Sequence, residues 1–330
     1  QSCALSGPAG ALGRAYMQGA NTYFEEVNAK GGVKGRKIKL ITLDDYYEPD
    51  YAVKNTLELI EKKKVFAIFG EVGTPTSKAV IPIITKHETP FLMPFTGAEL
   101  LRKPYNKYII NMRSSYEHET QALIEYLVDV KKYRKIAVFY QNDSYGKAGL
   151  SGVKKSLNSK GLSLVTEGRY RRNTLLIEKA LRTILKSKPD AIVIIGAYKQ
   201  SATFIKEMKK RSLRDITFAN ISFVGSNALV EELGDKTENV IISQVVPFDK
   251  QGFIFKEGYL AAKLFVKALE NTQEPLTRSS FLDSFSKLPS DTLSDNLSLE
   301  IRDDRFIGLD RVYLTRYKNG EFIQVMEHRR

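Results

Sequence analysis

Two stretches of the sequence set glycine beside hydroxyl side chains where an apolar, strand-like run gives way to a helix-like one. Glu71-Val72-Gly73-Thr74-Pro75-Thr76-Ser77 follows the run 65–70, and Thr96-Gly97-Ala98-Glu99 follows the run 90–95. Thr74 reads as a helix N-cap with Pro75 at the first helical position. Thr96 to Glu99 reads as a capping box opening another helix. Free amides and the helix dipole at such starts suit an anion. Hydroxyls at strand–helix junctions commonly do no more than cap. Two such junctions on successive strands of one sheet set a ligand reading beside the capping one.

The second half repeats the arrangement. Asn142-Asp143-Ser144-Tyr145-Gly146 follows the run 135–140, Tyr198 follows 191–197, and Gly225-Ser226-Asn227 follows 217–224. Tyrosines at strand ends either pack the rim or close over a small organic molecule, offering a ring face and a hydroxyl together.

Catalytic readings find little support. No G-x-G-x-x-G follows a strand-like run, and P-loop, G-x-S-x-G and H-E-x-x-H motifs are absent. Asp44 and Asp45 are neighbours, so on a strand they point to opposite faces and make a poor acid–base pair. Cys3 has no identifiable histidine partner. The single cysteine excludes an internal disulfide framework, and His87, His118 and His328 share no metal-ligand spacing. We expect neither metal nor cofactor.

Positioning these junctions requires an alternation of strands and helices. Strands are expected at 37–44, 65–70, 90–95 and 108–112, with helices at 13–30, 50–63, 75–87 and 99–102 between them. After residue 113 the alternation restarts, with strands at 135–140, 162–166, 191–197, 217–224 and 240–246. Helices are expected at 117–133, 147–160, 175–187, 200–211 and 228–233. Runs such as Ala191-Ile192-Val193-Ile194-Ile195 are apolar on both faces, which argues for parallel sheets covered by helices on both sides. The fold class is therefore α/β, with two doubly wound parallel-sheet lobes. The tail adds helices at 253–270 and 279–288 and strands at 297–301, 311–317 and 322–327. The last two are joined at Asn319-Gly320, a hairpin signal.

The chain has 330 residues, 42% hydrophobic and 27% charged, which fits two folded domains rather than disorder. Lys and Arg number 51 against 38 Asp and Glu, a formal charge of +13. The basic residues are scattered, several at expected helix ends, and are not interleaved with aromatics, so no nucleic-acid partner is expected. The opening Gln1 to Leu5 leaves room for only a stub of strand before Ser6-Gly7-Pro8. We expect either a short first strand or residues missing upstream.

The order of these junctions resembles the type I periplasmic substrate-binding proteins of ABC importers, the leucine/isoleucine/valine-binding protein family. The resemblance runs from Leu5-Ser6-Gly7-Pro8, Gly19-Ala20 and Val27 to Arg36 through Asp44-Asp45, Gly70 to Ser77 and Pro94 to Ala98. It continues through Asn111-Met112-Arg113, Asp143 to Gly146 and Gly225-Ser226-Asn227, and so covers essentially the whole chain. It makes missing upstream residues the better account of the stub.

The resemblance implies two lobes joined by three crossovers, near 113–117, 245–249 and 304–310, with ligand trapped between them by hinge closure. Lobe one would hold 1–115 and 247–305, and lobe two 116–246 and 306–330. It implies a ligand carboxylate, and part of its ammonium, held at Thr74 and at Thr96, Gly97 and Ala98. Tyr198 and Tyr145 would cover the ligand, with Tyr116 at the first crossover a further candidate. Where amino-acid-binding relatives carry an acid for the ammonium, this chain has Ser226-Asn227, and Leu12 falls near a position that is often aromatic. Glu71 could substitute for that acid. The implied protein is a monomer, not an enzyme. It delivers a small carboxylate-bearing ligand (amino acid, derivative or organic acid) to an ABC importer permease. It would be periplasmic or extracellular, made with a signal peptide, with or without a membrane anchor. The alternatives are a ligand-sensing receptor ectodomain and an α/β enzyme.

Overall fold

The structure, a computed structural model, describes residues 1–293, 297–303 and 305–329. The chain forms two compact units. The first comprises 1–96, 100–114 and 248–310, and the second 97–99, 115–247 and 311–330.

In the first unit, α1 (Gly10–Ala29) buries Leu12, Tyr16, Ala20 and Phe24, four residues apart and hence on one face. That face packs on α9 (Phe253–Asn271) at unusually short range. A Cβ on Gly19 would lie 2.0 Å from Phe255 O, and one on Gly258 would lie 2.1 Å from Tyr16 O. Glycine at both positions lets the two backbones touch. Strand β1 (Ser2–Cys3) precedes α1, and after it come β2 (Leu43–Asp44), α2 (Pro49–Leu57), β3 (Ile68–Phe69), α3 (Thr74–Lys86), β4 (Phe91–Leu92) and β5 (Ile109–Ile110). Strand β1 pairs in parallel with β2, and β3, β4 and β5 form a parallel sheet. Ala52, Ile68, Val80, Ile84 and Phe91 from these elements share one buried cluster with Leu59, just past α2.

Strands β2 to β5 are much shorter than the apolar runs predict, two residues each where five to eight were expected. A ladder needs a partner at every step, and among the described residues the run 37–44 is paired where Gln1 N meets Ile41 O and where Ser2 and Cys3 pair with Leu43 and Asp44. The helix expected at 99–102 is a single 3-10 turn, Glu99–Leu101. The unit closes with α10 (Arg278–Ser284), capped by Thr277, and an antiparallel hairpin of β11 (Leu299–Arg302) and β12 (Arg305–Leu309). Residues 305–309, expected as a crossover, are thus paired strand. Residue 310 of that expected crossover follows β12, while residue 304 lies outside the described residues, as does residue 330 of the expected second lobe.

The second unit is built on a seven-stranded sheet in the order β14-β13-β10-β9-β8-β6-β7. Its strands β6 (Ile136–Gln141), β7 (Thr166–Tyr170), β8 (Ala191–Ile195), β9 (Thr217–Asn220) and β10 (Val240–Gln244) are parallel. The hairpin β13 (Arg311–Lys318) and β14 (Glu321–Arg329) is antiparallel and turns at Asn319-Gly320. Helix α4 (Tyr116–Glu125) precedes β6, and α5 (Ser144–Asn158), α6 (Glu178–Ser187), α7 (Tyr198–Arg211) and α8 (Ser226–Leu233) connect the parallel strands. Strand β7 lies four residues beyond its expected start. It is an edge strand with only Gly168 and Tyr170 buried, so it alternates instead of running apolar.

Candidate functional site

In the first unit the site grows from the end of β3. Gly70 to Gly73 lead into α3, and Gly73, not Thr74, is the N-cap, with φ +106°. Only glycine takes this conformation readily, and a Cβ there would lie 2.2 Å from the buried Tyr47 ring. Thr74 is thereby the first helical residue, and its hydroxyl makes no capping bond. Instead Thr74 Oγ1 and Thr96 Oγ1 lie 2.7 Å apart, both fully buried.

The first turn of α3 adds donors. Ser77 N–H bonds Gly73 O, and Pro75 has no N–H. The amides of Thr74 and Thr76 have no hydrogen-bond acceptor among the described residues. Ser77 Oγ is buried and also without a partner there. A hydroxyl pair beside open amides at a helix N-terminus is chemistry for a carboxylate or similar anion.

Glu71 sits two residues before the cap. It is fully buried, and neither carboxyl oxygen has a hydrogen-bond partner among the described residues. Burial, reinforced by Asp45, holds its carboxyl well above the usual carboxylate range. Burial thus disfavours the charged form of Glu71, which makes it a poor standing counter-ion for an ammonium. Gly97 and Ala98 belong to the second unit, where Gly97 O accepts from Tyr116 N at 2.7 Å.

In the second unit Asp143 organises the loop after β6. Its carboxylate caps α5 by accepting from Tyr145 N at 3.0 Å and Gly146 N at 3.4 Å. It also takes Gln141 Nε2 at 2.7 Å and Arg172 Nη1 at 3.2 Å. Tyr145 is thus fixed at the first turn of α5. Its hydroxyl donates to Gly196 O at 3.3 Å, and its ring centroid lies 4.5 Å from Phe223 and 5.6 Å from Tyr116. Tyr198 opens α7, two residues after that carbonyl. Ser226 opens α8, and its Oγ accepts from Gln244 Nε2 at 2.7 Å, so its own proton remains available. Asn227 is exposed, with no side-chain hydrogen bond among the described residues.

Of the residues expected from sequence, the structure joins Thr74 with Thr96, and Tyr145 with Tyr116. It gives Ser226 a partner in Gln244 and leaves Asn227 in solvent. Phe223, Gln244, Arg172 and Ser77 were not singled out. Phe223 lay inside an apolar run, and Gln244 was hidden within the run 240–246.

A family model described as periplasmic binding protein matches residues 2–252. The chain belongs to the periplasmic binding protein family. Its members bind solutes rather than transform them, and the chain is not an enzyme. A structure from Rhodopirellula baltica, titled as a possible leucine/isoleucine/valine-binding protein, superposes with TM-score 0.90 at 31% identity, covering 98% of this chain and 95% of that one. A substrate-binding periplasmic protein from Ralstonia solanacearum shares the fold with TM-score 0.91 at 23% identity, covering 98% of both chains. An amino acid binding protein of Pseudomonas aeruginosa is 25% identical over 211 residues, 63% of this chain. The matched region spans 56% of that relative and 59% of a Rhizobium johnstonii Leu/Ile/Val-binding protein. The chain is thus a type I periplasmic binding protein in fold.

Proposed function

We propose that this periplasmic binding protein takes up a small carboxylate-bearing solute (an amino acid, an amino-acid derivative or an organic acid) and presents it to the permease of an ABC importer. The observation that carries the reading is the Thr74–Thr96 hydroxyl pair beside the open Thr74 and Thr76 amides. These groups are donors, buried and fixed before any ligand arrives, which lowers the ordering cost of binding an anion. Thr74 and Thr96 hold the carboxylate in this proposal, with Gly97 and Ala98 beside them. In the second unit, Tyr145, Tyr198 and Tyr116 offer ring faces suited to an apolar ligand body.

The ligand's other end is less favourable to an ammonium. Ser226 and Asn227 are neutral, and burial disfavours the charged form of Glu71. Ser226 keeps a hydroxyl proton to donate, which suits an oxygen more than a cation. The names of the Pseudomonas and Rhizobium relatives support amino acids, and the donor-rich chemistry supports organic acids at least equally.

A thermal-shift screen over amino acids and organic acids tests this proposal. A ligand at 100 times its Kd stabilises the native state by about 2.7 kcal/mol. Carboxylates that shift the midpoint where their methyl esters do not support the anchor. No shift with any carboxylate removes it.

A further inference from the structure

The loop between β7 and α6 projects two leucines from the second unit. Leu175 is 56% exposed and Leu176 74%. A lone exposed leucine is ordinary, but two neighbours held outward by ordered backbone are a built feature. Thr174 N and Thr174 Oγ1 both donate to Arg171 O, at 3.2 and 2.7 Å. Ile177 N donates to Leu175 O at 2.9 Å, and the Ile177 side chain is buried. The loop is thus closed on both sides of the pair, with Ile177 as its anchor and the leucines as its tip.

Cations surround this tip. From 169 to 188 the chain has seven Lys and Arg and one acid, Glu178. Glu178 is already engaged by Arg211 at 3.0 Å and Arg182 at 3.7 Å, and Arg172 pairs with Asp143. Arg169, Arg171, Lys179, Lys186 and Lys188 are exposed and form no ion pair among the described residues. On α6, Lys179, Arg182 and Lys186 follow one another at spacings of three and four, which makes one outer stripe, while Ala180, Leu181 and Ile184 are buried. Uncompensated cations gain from meeting an anionic surface, and exposed leucines gain from leaving water. Both gains are made together where phosphates lie over acyl chains.

We propose that this tip docks on an anionic lipid bilayer. Leu175 and Leu176 enter the acyl boundary, and Arg169, Arg171, Lys179, Arg182 and Lys186 meet lipid phosphates. The leucines project instead of lining a groove, and the cations are long side chains on an exposed helix face. A fluid bilayer accepts both without matching a contour, which a protein partner must do. Under the importer reading above, this contact keeps the protein at the membrane that holds its permease. The contact itself does not rest on that reading.

The test is co-sedimentation of the full chain with vesicles of phosphatidylcholine alone or mixed equally with phosphatidylglycerol. It is run in about 0.1 M salt, where charges more than about 10 Å from the lipid are screened. The chain has no tryptophan, so Leu176→Trp adds a single fluorescent probe at the tip. The expected result is binding to the mixed vesicles alone, with a blue shift of the Leu176→Trp emission. Leu175→Ser with Leu176→Ser, and separately Lys179→Glu with Arg182→Glu, should each weaken binding at least about tenfold. Lys62→Glu with Lys63→Glu, exposed on the first unit, makes the same charge change and should weaken it less than about threefold. No binding, equal binding to both vesicles, an unshifted emission, or a loss as large in the Lys62 and Lys63 variant would overturn the proposal. So would polyglutamate binding as tightly as the vesicles with no loss in the double serine variant, which would assign the patch to an acidic protein surface. None of these readouts involves Thr74 or Thr96, so failure here leaves the solute-binding reading intact.

Discussion

Thr74 and Thr96 stand on consecutive strand-to-helix connections of one parallel sheet, and their hydroxyl oxygens meet at 2.7 Å in the buried interior. Each hydroxyl orients the other, so both matter to any anion they hold. Thr74→Val removes one donor and the orienting bond. We expect the Kd for the best carboxylate of the screen to rise by about 1.5–3 kcal/mol, the range of hydrogen bonds to charged groups. Thr96→Val should behave alike. The double variant should fall short of the sum, because the residues act as one unit. Isothermal titration of the four proteins decides this, and strict additivity would separate the two threonines.

A second pair tests the packing beneath the site. Arg113 is almost wholly buried with its guanidinium 4.4 Å over the Phe95 ring, and its Nε lies 3.4 Å from Glu257 on α9. Phe95 is the residue before Thr96, so this pair braces the strand end that presents the hydroxyl. Glu257→Gln leaves a buried guanidinium short of its anion, and the expected cost is about 3–5 kcal/mol in urea unfolding. Replacing both partners, Arg113→Met with Glu257→Leu, should recover most of that loss. If the single variant unfolds at the wild-type midpoint, the pair contributes nothing to stability.

Much of this architecture was legible because burial on both faces leaves a plain trace. Strand β8 reads Ala191-Ile192-Val193-Ile194-Ile195, all buried, and nothing polar interrupts it. Strand β7 was misplaced because an edge strand hides half its residues in solvent and carries its signal in Gly168 and Tyr170 alone. The first-unit strands were overdrawn for a different reason. Apolar residues at 38–41 and 65–67 show that these segments face inward, but pairing depends on a neighbour that local pattern cannot supply. At the site, the hydroxyl junctions were visible from glycine and threonine spacing. The role of Thr74 was not, because the cap depends on the positive φ of Gly73. Phe223 and Gln244 were invisible, since contacts with Tyr145 and Ser226 arise only when separate strand ends are brought together.

Asp45 makes the stability of the first unit sensitive to pH. It is fully buried, and burial pushes its carboxyl up to about 7 although Ser2 Oγ and Tyr47 N donate to it. An unfolded aspartate titrates near 3.9, so between about pH 4 and 7 the native state holds a proton that the unfolded state has lost. Stability from this group is therefore greatest below pH 4, declines as pH rises to about 7, and changes little above. The full span is at most about 4 kcal/mol. Asp45→Asn should flatten this part of the profile, making the variant gain on the wild type as pH rises from 5 to 8. Urea unfolding at four pH values across that range checks it. A wild-type advantage growing with pH would reverse the assignment.

Asp143 offers the clearest route from a single side chain to the second unit's tyrosines. Its carboxylate receives the amides of Tyr145 and Gly146, the side chain of Gln141 and the guanidinium of Arg172. Asp143→Ala removes the cap and frees Arg172, and we expect a loss of about 1–2 kcal/mol of stability. Asp143→Asn keeps an oxygen for the two amides and should cost less than half as much. At its other end the Tyr145 hydroxyl donates to Gly196 O at 3.3 Å. If Tyr145 contacts the ligand, Asp143→Ala should also weaken binding severalfold, while Asp143→Asn leaves it near wild type. Measuring Kd and unfolding midpoint on the same preparations separates the two roles. A variant that loses stability and keeps full affinity would confine Asp143 to capping and exclude Tyr145 from the ligand's surroundings.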